Sequence, residues 1–583
     1  MATTTPTTPP NKRKSQQTQA TIRIVILSAI LICINILATQ IHYGLDLTRE
    51  KRFTLSPATK RMLSSLDDVV TVEVFLKGKF PAGIQRLSDE TAEKLNNFNN
   101  YSNKKIIYTF VDPVEGKNDD EKAEIYRQFM MKGMSPRQLN VNTEEEGRSE
   151  KIFFPYALVH YKGNEMPVTL LESSTGVDPM QQLTVSGSML EYKIASAIHK
   201  LDMPDKPTIA YLVGHGEPLG ITTIDMLTTL ERNYHVDTFN IIEHAYINPV
   251  VYSAVIVNKP TSIIHEQEKF KLDQYVMRGG HILWVIDPLY APLDSLQHTD
   301  NFLTSEYMLN LDDILFNYGA RLNPTLIEDM QCNEIPITVG YSEQGRAQVE
   351  LKPWMYFPIF VPTSRHPIVN NMDGIMGQFA SSIDTVGNPQ AKKTVLLESS
   401  KYSRIAGNPV RVNMAMLQFD LRPDMFQKPY QPVAVLLEGN FPSIFRNRPP
   451  AAGFAQILRD SLKQPFKDKT DTATSMIVIA DGDMFANGFT EARGPEPMGY
   501  WRYNQSNFAN KSFLLNCMEY LTDKESLLEA RTKDVKLRLL DAGRIRDERD
   551  TWRIVNIAIP IGLVLVFASV FLFFRKRRYE IKK

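Results

Sequence analysis

The sequence predicts an α/β protein built around a mostly parallel sheet, with a transmembrane helix at each end. Three observations predict it. The strings "TIAYLVG" (Thr208 to Gly214), "SAVIVNKP" (Ser253 to Pro260) and "GHILWVIDP" (Gly280 to Pro288) are near-continuously apolar, as strands are when helices cover both faces of their sheet. Segments with helical spacing, Thr222 to Arg232 and His265 to Arg278, separate them, and this alternation produces parallel pairing. Runs free of formal charge, Ile24 to Ile41 and Ile554 to Phe574, lie at the two ends, and roughly 20 apolar residues suffice to cross a bilayer core.

Charge orients those two runs. The formal net charge of zero conceals basic tips: Lys12, Arg13, Lys14 and Arg23 at one end, and Arg575, Lys576, Arg577, Arg578, Lys582 and Lys583 at the other. With these 10 bases and Glu580 set aside from the 66 bases and 66 acids, the chain between carries a net charge of −9. That excludes a strongly basic nucleic-acid face. Cationic flanks stay on the cytoplasmic side, so both termini are expected in the cytoplasm and the bulk outside it, in an inner membrane. The rival for the first run, a cleaved signal peptide, lacks a clear small-residue cleavage site.

On this reading the chain divides into a disordered cytoplasmic tail (1–21), a transmembrane helix (22–42), a periplasmic thioredoxin-like α/β domain (45–186) and a larger periplasmic α/β domain (187–523). That larger domain carries a β-rich insertion around 331–404. A charged connector (524–553), a second transmembrane helix (554–574) and a basic tail (575–583) complete it. In the smaller domain, "VVTVEVFLKG" (69–78) and "KKIIYTFVDP" (104–113) read as strands around a helix with Leu87, Thr91, Leu95 and Phe98 near one face. A helix over Asp119 to Met131 and strands over Ile152 to Tyr161 and Met166 to Leu171 give an order compatible with a thioredoxin-like sandwich. Its CxxC redox pair is absent. A helix is expected over Gly187 to Leu201, another over Asn310 to Tyr318, and strands at "QPVAVLLEG" (431–439) and within "TSMIVIADGDMFAN" (474–487), followed by a covering helix over Asn510 to Leu521. In the connector, Val535, Leu537 and Leu539 alternate as in a strand, while Leu528, Val535 and Leu539 fit a helical face. Periodicity leaves both readings open.

The sharpest local feature is "YLVGHGEP" (Tyr211 to Pro218), where a strand ends in two glycines flanking His215 with Glu217 adjacent. Ligands bind at strand carboxyl ends in open α/β sheets, and glycine permits tight turns there. One reading is a ligand or metal site built from Gly214, His215, Gly216 and Glu217 with Asp287, Asp481 and Asp483 from neighbouring strand ends. The other is a structural turn whose acids cap helices. The sequence has no phosphate-binding G-x-x-x-x-G-K-[ST], no G-x-S-x-G elbow and no H-E-x-x-H. No catalytic residue, metal or cofactor is therefore assigned. Of the three cysteines, Cys33 lies in an apolar run, and only Cys332 and Cys517 could bridge in an oxidising compartment; nothing in their spacing brings them together, and buried free thiols are the expectation.

Several strings together resemble the GldG family of gliding-motility-associated ABC transporter auxiliary proteins of the Bacteroidota. They are "GLDLTREKRFTLSPAT" (44–59), "FLKGKFPAGIQRLSDET" (75–91), "YLVGHGEP", "ADGDMFAN", "FANKSFLLNCMEYLTD" (508–523) and the carboxyl end from "ARTKDVKLRLLD" (530–541) through Trp552. The resemblance implies a non-catalytic periplasmic auxiliary subunit acting beside an inner-membrane ABC-type permease and, through it, a cytoplasmic ATPase. A homo-oligomer is compatible with it. It further implies an α/β domain similar to those of intraflagellar-transport proteins and, more remotely, glutamine-amidotransferase-like folds, whose cysteine nucleophile is replaced here by the GHGE turn. Two rival functions stand beside this: a membrane-anchored metal-dependent hydrolase around His215 and Glu217, and an envelope or glycan interaction module using Tyr500 and Trp501.

Overall fold

The structure is a computed structural model that describes residues 21–33, 54–143, 147–172, 179–203, 205–291, 296, 299, 301–341, 345, 347–418, 421–448, 456, 459–460, 463–492, 494–523, 527–532 and 542–580. The chain is mixed α/β. Met1–Thr54 form one compact unit, of which an apolar helix α1 (Thr21–Cys33) is described. It is shorter than a span, and residues 34–42 of the expected first transmembrane helix lie outside the described residues. Leu55–Lys583 form the second unit.

That unit opens with α2 (Pro57–Ser64), β1 (Val70–Val74), α3 (Ala82–Tyr101), β2 (Ile106–Phe110) and α4 (Asp119–Met131). A hairpin of β3 (Arg137–Thr143) and β4 (Gly147–Phe153), then β5 (Tyr156–Tyr161), β6 (Asn164–Thr169) and α5 (Pro179–Asp202) follow. The sheet runs β2-β1-β5-β6, with β1 and β2 parallel and the other neighbours antiparallel. Alternation decides the faces. Val70, Val72 and Val74 point to a core shared with Leu87, Leu95 and Phe98 of α3 and Leu190, Ile194 and Ile198 of α5, while Phe75 and Leu158 pack with Tyr126 and Phe129 of α4 on the other side.

Two expectations shift here for identifiable reasons. The single strand expected over Ile152 to Tyr161 is two, because Pro155 between them has no N–H to give a ladder. The helix expected to open at Gly187 starts at Pro179, since proline is well suited to a first turn whose N–H groups have no intrahelical acceptor.

The larger sheet is built from β7 (Thr208–Val213), β8 (His235–Asn240), β9 (Tyr252–Asn258) and β10 (Ile282–Val285), with α6 (Ile224–Glu231) and α7 (Glu266–Met277) between them. After α8 (Asp312–Tyr318) and a long hairpin of β11 (Cys332–Tyr341) and β12 (Ala347–Phe360), β13 (Ala391–Glu398), β14 (Pro432–Gly439), β15 (Thr474–Ile479) and α9 (Asn510–Thr522) complete it. The order is β13-β14-β15-β10-β9-β7-β8, parallel from β15 to β8 and antiparallel at β13 and β14. Residues 391–398, expected within the insertion, therefore belong to the main sheet. The remaining insertion consists of that long hairpin and short antiparallel pairs around a core with Trp354, Phe357 and Phe379.

Both faces of the parallel strands are covered. Ile209, Tyr211, Ile256, Leu283 and Ile477 face a core with Met226 and Leu230 of α6 and Phe513, Leu514 and Met518 of α9. Their neighbours Ala210, Leu212, Val255, Trp284 and Val478 face α7 and α8. α7 is buried over nearly its whole length, charges included. Asp273 accepts from the Tyr318 hydroxyl (2.9 Å), the Ser443 hydroxyl (2.6 Å) and the Ile444 N–H (3.2 Å), and burial pushes its carboxyl up to about 6. Lys269 reaches Asp313 at 2.7 Å and Glu266 at 2.9 Å.

Leu527, Leu528, Ala530 and Arg531 of the charged connector are buried. A 3-10 turn over Leu527–Thr532 is inserted into the unit, with Leu527 in the first core and Leu528 and Ala530 in the second. Arg531, 5% exposed, donates to Asn516 Oδ1 (2.5 Å) and the Asn370 carbonyl (3.3 Å), lies 5.2 Å from the Tyr192 ring centroid, and accepts from Asn370 Nδ2 through its own carbonyl (2.7 Å). Val535, Leu537 and Leu539 lie outside the described residues. The chain ends in α10 (Ala542–Glu580), within which Thr551–Arg578, 28 residues with none of the apolar stretch buried, is long and apolar enough to cross a membrane. The expected span 554–574 lies inside it.

Because Ile477 is fully buried between strands and α9, Ile477→Ala should cost about 2–5 kcal/mol. A fall in the thermal unfolding midpoint of the full chain in detergent would register it, and an unchanged midpoint would contradict the packing described.

Candidate functional site at the carboxyl edge of the sheet

Parallel pairing aligns the carboxyl ends of β7, β9, β10 and β15 at one edge, so residues 214–217, 259, 287 and 481–483 meet there. β8 lies on one side of β7 and β9 on the other. This is the point where the chain reverses its direction of travel across the sheet, and such points leave a crevice.

In this protein the crevice is filled from within. Gly214 (φ +128°) and Gly216 (φ +82°) take conformations that other residues seldom adopt. The turn they form presents the His215 carbonyl to the N–H groups of Thr261 (2.9 Å) and Ser262 (3.0 Å) in the loop after β9. A Cβ at Gly216 would stand 2.1 Å from Thr261 Oγ1. The His215 N–H donates to Glu217 Oε2 at 2.7 Å. His215 is 2% exposed, and its Nδ1 lies 3.9 Å from Glu217 Oε1. Neither ring nitrogen has a hydrogen-bond partner among the described residues. Burial lowers the His215 pKa, opposed by Glu268 and reinforced by His265 and Lys271. Burial raises that of Glu217 against three backbone N–H groups. The charged form of each is thus disfavoured.

The three aspartates gather separately, two of them around Lys259. Its Nζ lies 2.5 Å from Asp483 Oδ1 and 3.2 Å from Asp287 Oδ2. Asp287 Oδ1 accepts from the Gly482 N–H at 2.5 Å, and Asp481 accepts from the N–H groups of Gln378 (2.8 Å) and Asp483 (3.0 Å). Burial pushes Asp287 up to about 6 despite Lys259, and burial beside two further carboxylates holds Asp481 well above the usual carboxylate range. The anions that sequence reasoning placed here therefore have a cation it missed. The available signal was "NKP" at the end of β9: Lys259 adopts φ +49° just before Pro260, on an edge already identified as a meeting place of acids. Glu268 and Lys271, which act on His215 from α7, gave no such signal.

Among the described residues, no group of three or more His, Cys, Asp or Glu side chains is placed to hold a metal ion. All three cysteines are free thiols. Of the expected Tyr500–Trp501 pair both are half-buried, and Trp501 packs its ring 5.7 Å from Phe357 with its Nε1 donating to the Glu334 carbonyl at 2.7 Å.

The class this defines is a mixed α/β protein with a helix long enough to cross a membrane and with strand-end charges paired among themselves. The chain belongs to the family described as an ABC-type uncharacterized transport system, whose model matches residues 206–517, more than half its length; it is an auxiliary protein of ABC transport. Residues 49–160 match a second model, a domain of unknown function. An uncharacterized protein of Borreliella burgdorferi is 19% identical over 97% of this chain and 99% of its own length. Among solved structures, the mmIFT52 N-terminal domain is 12% identical, with a TM-score of 0.29, over 57% of this chain and all of its own.

Gly216→Ala should destabilise the protein by about 1–3 kcal/mol, through the left-handed dihedral and the collision with Thr261. Chemical denaturation compared with a Gly407→Ala control, where neither a left-handed φ nor a neighbouring atom opposes the methyl group, would measure it. An acid whose folded pKa stands above its unfolded value favours folding below the unfolded pKa and loses that contribution as pH rises through the folded one. For Asp287 the window is about pH 4 to 6. Relative to Asp287→Asn, the wild type should lose on the order of 3 kcal/mol of stability across it, seen as a pH-dependent difference in unfolding midpoints; a constant difference would refute it.

Proposed function

We propose that this auxiliary protein is a non-catalytic scaffold or coupling subunit of an ABC transport system, anchored in the inner membrane at both ends with its bulk in the periplasm. Its partners are a permease and, through it, a cytoplasmic ATPase. Gliding motility is the proposed setting, on the resemblance to the GldG family. The observation that carries the reading is the family match over residues 206–517 joined to a long apolar helix at the carboxyl end. Further support comes from the strand-end edge, where Lys259, Asp287 and Asp483 neutralise one another instead of presenting reactive groups. The strand order and β-α-β-α-β-β-α succession of residues 70–202, leaving the β3–β4 hairpin aside, support the thioredoxin-like assignment of the smaller sheet.

A coupling subunit needs a mechanical link to the membrane. The turn over Leu527–Thr532, held in both cores by Arg531 and its neighbours, supplies it, for a displacement of the chain leading to α10 acts directly on packed elements. Purification of the tagged full-length chain in mild detergent should recover a permease and its ATPase in fixed proportion. Recovery of the chain without either would sink the proposal.

A further inference from the structure

The turn over Leu527–Thr532, which joins the two cores ahead of α10, is itself held by a second turn with a histidine at its head. Between β12 and β13 the His366 carbonyl accepts from the N–H groups of Val369 (3.0 Å) and Asn370 (2.8 Å), with Pro367 at the position that sets the bend. Ile368 and Val369 are fully buried in the core that contains α9. The bend then reaches Arg531. Asn370 Nδ2 donates to the Arg531 carbonyl at 2.7 Å, and the Asn370 carbonyl accepts from Arg531 Nη2 at 3.3 Å. Asn516 of α9 ties the two turns together, donating to the Ile368 carbonyl at 2.7 Å and accepting from Arg531 Nη1 at 2.5 Å. His366 closes the bend with its ring, whose Nδ1 accepts the Ile368 N–H at 3.4 Å. A ring nitrogen that accepts carries no hydrogen, so the neutral imidazole has its hydrogen on Nε2. The ring is half-buried and lies 5.0 Å from that of Tyr520 on α9, whose hydroxyl donates to Glu438 of β14 at 2.5 Å. Lys392 of β13 pairs with the other oxygen of Glu438 at 2.9 Å.

We propose that His366 is an acid-released catch on the joint between the folded body and α10: a proton taken from water by Nδ1 turns the acceptor of the Ile368 N–H into a donor, opens the bend and frees Arg531. Two donors then face one another, and the bond that closes the bend is lost. Arg531 is 5% exposed, and a guanidinium that loses the Asn370 and Asn516 acceptors is an uncompensated buried charge, so the turn over Leu527–Thr532 moves toward water. The surroundings resist the proton. Burial lowers the His366 pKa to about 4, opposed by Glu438 and reinforced by Lys392. A histidine whose folded value lies below the ordinary 6.5 favours the closed state above 6.5 and loses that contribution as pH falls toward the folded value. The neighbouring carboxylates titrate lower. Against burial, Tyr520 and Lys392 hold Glu438 below 4.5, and Lys193 and Arg531 do the same for Glu172. Of these three groups, only His366 changes charge between about pH 5 and 7.5, the range in which histidine serves as a switch. Every group named lies in this chain, so the catch does not depend on which proteins it assembles with.

Hydrogen exchange of the full-length chain in detergent, read on residues 366–371 and 527–532 and corrected for the intrinsic rate at each pH, measures the opening. From about pH 7.5 to about pH 5 the opening constant of both segments should rise about twentyfold, the factor that a shift from 6.5 to about 4 gives a one-proton release. Strand β9, buried over most of its length, serves as the control and should not follow. His366→Asn keeps an oxygen able to accept the N–H two residues on and cannot take the proton, so its opening constants should stay low at both pH values. Arg531→Lys, which loses the bonds to Asn370 and Asn516, should leave residues 527–532 open already at the higher pH. Equal opening constants in the wild type at the two pH values would overturn the catch, and that comparison needs no variant to fold. A rise that persists in His366→Asn, or one confined to residues 366–371, would overturn it too. None of these outcomes touches the proposed transport partners, which the co-purification tests separately.

Discussion

The parallel strands β7, β9, β10 and β15 have no face for water. Ile209, Ile256, Leu283 and Ile477 on one side, and Leu212, Val255, Trp284 and Val478 on the other, must both be covered. At about 25 cal/mol per Å² of apolar surface, neither face can be left exposed, so helices pack on both. The demand on one side is severe enough that α7 is buried with its charges. Lys269, Lys271 and Asp273 then need partners, which α8, the Ile241 carbonyl and the loop after β14 provide. The third dimension of the fold is largely the consequence of covering that sheet.

The same constraint determines where polar chemistry can sit. With both faces apolar, the strand ends are what remains, and four of them meet at one edge. Charges collected there by parallel pairing must neutralise each other or face water. Lys259 between Asp287 and Asp483 is the first solution, and the inward-turned Glu217 accepting the His215 N–H is a variant of it. Folding these groups inward leaves aliphatic side chains on the outer surface of the loop. The edge at which other α/β proteins hold a ligand here carries paired charges within and apolar side chains on its outer surface.

Much of this was legible in the chain. α3 follows from periodicity, because its face with Leu87, Thr91, Leu95 and Phe98 must be buried and helical geometry repeats it every three or four residues. The parallel strands were legible because their apolar runs are longer than alternation would allow. The seven residues singled out at strand ends do lie at one edge, since topology alone brings them there. Their division into two groups was not legible, nor was Lys259, because a pairing between residues 259 and 483 depends on strand order and leaves no mark in local sequence. The same holds for residues 391–398, whose membership of the main sheet rests on pairing with β14, and for Arg531, whose partners Asn370 and Asn516 come from distant segments.

The sequence by itself determined the α/β class, the apolar run long enough to span a membrane at the carboxyl end, the basic tips, and the glycines that make the turn after β7. Each is a local property of hydrophobic period, length, charge or backbone freedom. Only the tertiary structure decided which strand lies beside which, that the crevice at the switch point is closed by the loop after β9, and that the turn over Leu527–Thr532 joins both cores. Those depend on contacts between residues far apart in the chain, whose free energy exists only once the two faces of the sheet have been covered.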